Sequence, residues 1–336
     1  MKTTALLPAV MLAATLAAGH QMPAKGQTVI LPAPGFHHLH LNSLDPDAAI
    51  DFYTRQFPTT SKSTWGGMPA LKSPNSVLVL FNKVDTAPLL EPQTALWHWG
   101  FHVLDIRKTL AEFKTRPEVK LLPLYTSDEG GSVLISSDTW PGTGGVLGLT
   151  KAQIAEARAK GVKRAGGGGF IYLQGPEGVI VEALGNQPVA RMNHVHMYQE
   201  DPYCAQFWYQ KHFNAQLFAA RTVPPGINEA NCKVARTPDR SWPALEREGS
   251  YRMPNAAVMF GDVALLWNSN PGDKPLASSR GHVMDHIALS VADLDAWMTK
   301  LRGEGIKLGE PYKLGDTRAV MLEGPSREGL ELVEVE

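Results

Sequence analysis

Histidine recurs in this chain at spacings that could both hold a metal ion and move protons. His38 and His40 alternate around one residue, and His194 and His196 repeat the pattern. The two segments align without a gap from His38 to Tyr53 and from His194 to Tyr209, matching at both histidines, at Asp45-Pro46 and Asp201-Pro202, at Ala49 and Ala205, and at the final tyrosine. His98 and His286 head a second pair of related segments, Trp97–Arg107 and Asp285–Asp295. A third pair runs from Gly175-Pro176 to Glu182 and from Gly324-Pro325 to Glu331. Imidazole and carboxylate together suit hard or borderline divalent ions and leave coordination positions open for substrate oxygens. A neutral imidazole near pH 7 can also act as general acid or base.

The elements that must position these residues follow from the same repeats. Each His-x-His segment alternates like a strand, meets an Asp-Pro suited to a helix start, and continues with aromatics at helical spacing as far as Phe57 or Phe213. The second pair leads into helices expected at 107–114 and 294–302. The Gly-Pro segments read as hairpins feeding a last strand. Strand-like runs at 76–81, 256–260 and 263–267 complete four units, about 36–84, 96–185, 192–268 and 283–335. Unit two carries a Gly-rich insertion, about 122–169, around a helical pattern at 150–160. Its Gly166-Gly-Gly-Gly169 run lacks the strand, helix and Lys-Ser/Thr context of a phosphate loop and reads as a surface excursion or a lid.

This repeated pattern resembles the vicinal-oxygen-chelate superfamily, which includes glyoxalase I, extradiol dioxygenases, fosfomycin-resistance proteins and bleomycin-resistance proteins. The resemblance covers nearly all of residues 36–335. It implies an α+β fold of four βαβββ modules paired into two open, cup-like barrels: a first domain at 27–188 and a second at 189–336. By position it also implies metal ligation by His38, His98 and Glu182 in the first domain and by His194, His286 and Glu331 in the second. The metal would be Fe(II), Mn(II), Zn(II), Ni(II) or Co(II). Strand alternation places His40 on the face of His38 and His102 on the face of His98. His40, His102 and Tyr172 are therefore the catalytic candidates beside the first metal, which is expected to be the reaction centre.

Departures from individual members narrow the choice. A glyoxalase I site needs a fourth ligand from module one, where the ungapped match places Leu78. The extradiol dioxygenase signature is kept in part at Ile171–Glu182, but no histidine stands upstream near 163–166, and Met321 replaces the tyrosine in the second half. A phosphonate-holding cationic pocket is not expected, since no cluster of Lys and Arg lies near the ligand strands; Arg318 is the nearest. The expected function is a metal-dependent lyase, isomerase or dioxygenase acting on a small oxygen-rich molecule. The alternative is a non-catalytic, bleomycin-resistance-like binder.

Composition sets the outer limits. Of 336 residues 43% are hydrophobic and 19% charged, as in a globular protein, and 32 basic against 33 acidic residues provide no field for nucleic acid. A small-molecule partner is expected, with no nucleic acid, and a monomer or homodimer. Lys2, an apolar run from Ala5 to about Ala18 and a polar segment to Gln27 have the layout of a secretory signal peptide, too short to span a bilayer. Residues 1–26 are thus expected to be a signal and leader, and the mature protein to be exported, periplasmic or secreted, and free of the membrane. The two cysteines, Cys204 and Cys232, could pair in such a compartment, but spacing alone leaves their pairing open.

Overall fold

The computed structural model describes residues 31–127, 132–139, 148–162 and 168–335, so the expected signal peptide and part of the Gly166–Gly169 run lie outside the described residues. Unit one comprises β1 (Gly35–Ser43), α1 (Pro46–Gln56), β2 (Ser61–Trp65), β3 (Met68–Lys72) and β4 (Leu78–Lys83). Unit two begins with β5 (Leu96–His102), α2 (Ile106–Lys114) and β6 (Lys120–Leu122). Its insertion holds β7 (Leu124–Tyr125), β8 (Ser132–Val133), β9 (Leu149–Thr150) and α3 (Lys151–Ala159), and the unit ends in β10 (Phe170–Gln174) and β11 (Ile180–Leu184). Unit three comprises β12 (Met192–Gln199), α4 (Pro202–Phe213), β13 (Gln216–Leu217), β14 (Ser241–Trp242), β15 (Asn255–Phe260) and β16 (Val263–Ser269). Unit four comprises β17 (Met284–Val291), α5 (Leu294–Gly303), β18 (Tyr312–Leu314), β19 (Thr317–Glu323) and β20 (Gly329–Glu334).

Local chemistry sets the helix starts. The Asp45, Asp105 and Asp293 side chains accept hydrogen bonds from the backbone N–H three residues on, and prolines occupy the first turns of α1 and α4. Thr150 and Gln153 form a reciprocal cap on α3. Among the described residues, no helix is long and apolar enough to cross a membrane.

The units pair out of sequence order. One eight-stranded sheet runs β18-β19-β20-β17-β1-β4-β3-β2, joining units one and four; the other runs β13-β15-β16-β12-β5-β11-β10-β6, joining units two and three. The expected division at 188/189 is therefore corrected, because each cup draws one unit from either side of it. The reason lies behind the sheets. Tyr53 and Phe57 of α1 pack on Trp99 and Phe101 of β5, at ring separations of 5.3 and 4.6 Å, and all four are buried. Phe213 of α4 likewise stacks on Trp297 of α5 at 6.0 Å. Neighbouring units thus share their aromatic back faces, each ring contributing about 1.5–3 kcal/mol on burial. The exposed edges of the first strands are left to pair with the other half of the chain, β1 antiparallel to β17 and β5 antiparallel to β12.

Residues 32–188 and 189–336 produced separately should each leave a first strand unpaired. Circular dichroism and gel filtration are expected to show neither half folded alone and recovery of the native spectrum on co-refolding. Two independently folded halves would contradict the crossed pairing.

Candidate metal centres

The register of the central cup, formed by units two and three, brings donors from three adjacent strands into one place. Glu182 on β11 and His194 on β12 both lie opposite Gly100 of β5, one on each side, and His98 is two residues along β5 on the same face. His98 Nε2 is 3.3 Å from Glu182 Oε2, His194 Nε2 is 3.8 Å from Glu182 Oε1, and the two imidazole nitrogens are 3.5 Å apart. A divalent ion with bonds of about 2.0–2.2 Å needs cis donors roughly 3.0–3.5 Å apart, so this buried set fits one after small closure. His196, opposite His98, adds a fourth nitrogen within reach of the group.

Gly100 is what permits the approach. A Cβ there would stand 1.9 Å from His194 Cε1, because the imidazole lies across the glycine. Asn193 lies 2.8 Å from His194 Nδ1 through its amide nitrogen, while its own Oδ1 has no partner. Turning that amide over lets Oδ1 accept from Nδ1–H and frees Nε2 toward the metal position.

Burial holds the nitrogen donors in their neutral, ligating form. It lowers the pKa of His98, takes that of His194 down to about 3 and puts that of His196 well below the ordinary range, despite the opposing pull of Glu182 on the first two. For Glu182 burial alone would raise the pKa, but the hydrogen bond from His98 and the charges of His194 and His98 bring it down to about 2. Tyr172, opposite Glu182 on β10 and hydrogen-bonded to it, is pushed well up by burial and then by that carboxylate, and so remains a donor.

A cavity of about 430 Å³ opens onto this group. Its walls include Trp97, Phe170, Tyr172, Phe218 and His102, whose pKa burial and Arg191 lower to about 4. Sequence reasoning missed three further lining residues, Arg191, Arg221 and Arg252, so the expectation of no Lys and Arg cluster near the ligand strands is corrected. Arg221 and Arg252 belong to a long excursion between α4 and β15 that carries no periodic signal. The excursion is tied down by a disulfide from Cys232 to Cys204 of α4 and by β14 pairing with β9 of the unit-two insertion. Arg318, by contrast, pairs at the surface with Asp295 and Glu334.

The outer cup, formed by units one and four, repeats the row with His38, Ala288 and Glu331 and with His286 two residues along. Glu331 Oε2 is 3.2 Å from His38 Nε2 and 3.6 Å from His286 Nε2, and all three atoms are buried without a hydrogen-bond partner. Asp285 holds His286 Nδ1 at 2.6 Å. Although burial works the other way, the hydrogen bond to Asp285 and the nearby Glu331 carboxylate raise the pKa of His286. Bulky side chains stand against these donors. Trp65, at the tip of the β2–β3 hairpin, lies 5.3 Å from the His38 ring and packs against the apolar clusters of both units. The Tyr312 hydroxyl donates to Glu331 Oε1.

Two expectations about the site change accordingly. The six histidine and glutamate positions do converge, but as His98, Glu182 and His194 and as His38, His286 and Glu331, so each expected triad exchanges one histidine with the other. The expected reaction centre of His38, His98 and Glu182 does not exist as a group. His40 stacks on His286 at 4.3 Å in the outer cup, whereas His102 and Tyr172 face the central cavity. The fold's internal symmetry also places the counterpart of Glu182 and Glu331 at Leu266 and Leu80, which lie opposite His196 and His40. Neither is a carboxylate, and Leu80 replaces Leu78 as the fourth position.

Comparison with known proteins agrees with this geometry. Residues 191–332 match the model of the Glyoxalase/Bleomycin resistance protein/Dioxygenase superfamily. Glyoxalase I from Zea mays superposes with a TM-score of 0.57 at 15% identity, covering 90% of this chain and 92% of that one. A candidate dioxygenase from Bacillus subtilis gives 0.55 at 10% identity, covering 91% and 86%. None of the curated proteins compared matches. The likeness to this superfamily is carried by sequence over residues 191–332, and the fold is that of glyoxalase I over nearly all of the described chain.

Gly100→Ala should displace His194 while keeping the fold: elemental analysis is expected to show metal in the central cup reduced severalfold, with stability lowered by about 1–3 kcal/mol. Unchanged metal content would show that the glycine is dispensable. The histidines also predict an acid-sensitive apoprotein. A group whose folded pKa lies below its unfolded value near 6.5 contributes stability above that pH, which is lost as pH falls toward the folded value. His37, His40 and His194 at about 3 and His102 at about 4 define a window from about 6.5 to 3, outweighing the opposite contribution of His286. Chelator-treated protein should have a lower urea midpoint at pH 5 than at pH 7.5; equal midpoints would contradict this.

Proposed function

We propose that this protein is a divalent-metal-dependent enzyme whose reaction centre is the central cup and whose substrate is a small oxygen-rich molecule. The observation that carries the reading is the convergence of His98 Nε2, His194 Nε2 and the Glu182 carboxylate at the wall of the 430 Å³ cavity. The donor set suits Fe(II), Mn(II), Zn(II), Ni(II) or Co(II), and such an ion would supply Lewis acidity toward substrate oxygens.

The chain's own groups support lyase or isomerase chemistry first. His102, neutral at pH 7, is placed to accept a proton from a carbon beside a substrate oxygen. Tyr172, still protonated, would donate to charge developing on a substrate oxygen by turning its hydroxyl from Glu182. Trp97, Phe170 and Phe218 give the cavity an apolar wall. His196 is 4.8 Å from the His98 ring and supports ligand orientation, and it stands where a dioxygenase-type acid or base could act if the metal is Fe(II). Export belongs to the same proposal, supported by the Cys204–Cys232 bridge, which favours an oxidising compartment.

Elemental analysis of protein purified without chelators is the test. Wild type is expected to hold near-stoichiometric metal, lost from the central cup in Glu182→Ala and in His194→Ala but retained there in Glu331→Ala and His38→Ala. No metal in wild type, even after reconstitution with each of the five ions, would overturn the catalytic reading in favour of a ligand-sequestering cup.

A further inference from the structure

Three arginines line the central cavity, against the carboxylates of Glu182 and Asp262. Asp262 is committed to Arg191 and accepts from Asn75 at 3.1 Å. Glu182 is committed to the two histidines and Tyr172. Arg221 and Arg252 are left without a counter-ion in the cavity. Arg221 Nη1 and Arg252 Nε are buried without a hydrogen-bond partner, although Arg252 also donates to the Pro243 carbonyl. Burial, and then the charge of Arg252, depress the Arg221 guanidinium to about 10, so it remains a cation at neutral pH. Glu246, which also acts on Arg252, lines a separate cavity.

Two desolvated like charges facing one space are unfavourable until an anion joins them. A divalent ion beside Glu182 would increase the positive excess. Guanidinium matches carboxylate in shape and in paired hydrogen bonding. The opposite demand comes from Trp97, Phe170 and Phe218, which favour a flat apolar body.

We infer that the central cup takes a small organic carboxylate, its carboxylate held by Arg221 and Arg252, its apolar body against Trp97, Phe170 and Phe218, and its other oxygens toward His98, Glu182 and His194. The last contact alone rests on the proposed metal-dependent function. Selection for the anion thus resides in the disulfide-tied excursion, and the oxygen-binding end in the sheet.

The test separates the two ends by calorimetric titration. On metal-loaded protein, 3,4-dihydroxybenzoate is expected to bind at least about tenfold more tightly than its uncharged isostere 3,4-dihydroxybenzamide. On chelator-treated protein, benzoate should still exceed benzamide, whatever the metal analysis finds. Arg221→Gln and Arg252→Gln, each checked for unchanged metal content, should bring acid and amide within about twofold, while Arg221→Lys keeps part of the preference. Equal binding of acid and amide by wild type, no binding of either pair, or a preference surviving in both glutamine variants would overturn the inference. A carboxylate preference in protein that holds no metal would overturn the metal reading and leave this one standing.

Discussion

The antiparallel junction of first strands is the constraint on which the sites depend. A divalent ion needs donors within about 3–4 Å of one another, and no single βαβββ unit can place three of its own there. Pairing β5 against β12 sets His194 beside Gly100, with Glu182 on the other side of the same glycine and His98 two residues away. A one-residue slip would turn every donor on the slipped strand to the back face, toward Tyr53 and Phe57. The register is held because Trp99 and Phe101, which alternate with the donors, are locked into that aromatic core.

The two cups share this architecture and differ in what fills them. In the outer cup Ala288 stands where Gly100 stands, Trp65 packs over His38, and Tyr312 occupies an oxygen of Glu331. The donors converge there with Trp65 and Tyr312 packed directly against them. In the central cup the hairpin contribution is short, and the excursion between α4 and β15 leaves a lined cavity instead. The two cups thus offer similar donor groups in different surroundings.

The unit-two insertion takes part only indirectly. Its strand β9 pairs with β14, and Tyr125 bridges to Ala244, so it braces the excursion that carries Arg221 and Arg252, and none of its described residues lines the cavity. The disulfide fixes the other end of that excursion to α4. Positions with no regular secondary structure of their own are in this way tied down where they present two half-buried cations to the cavity.

The sequence by itself determined the units and the ligand types. Alternating His-x-His, the Asp-Pro helix starts and the Gly-Pro hairpins are local signals, read from periods of two and 3.6 residues, and they located α1, α2, α4 and α5 within a residue or two and singled out the six histidine and glutamate positions that the fold brings into two groups. Tertiary structure decided which histidine joins which glutamate, because pairing between units is set by aromatic faces and free strand edges that are alike in all four copies. Nothing local in His38 or His194 distinguishes a partner at Glu182 from one at Glu331. The same holds for Arg221 and Arg252: they lie 31 residues apart in an aperiodic segment, and only the folding of that segment over β12 and β16 makes them neighbours of a metal position.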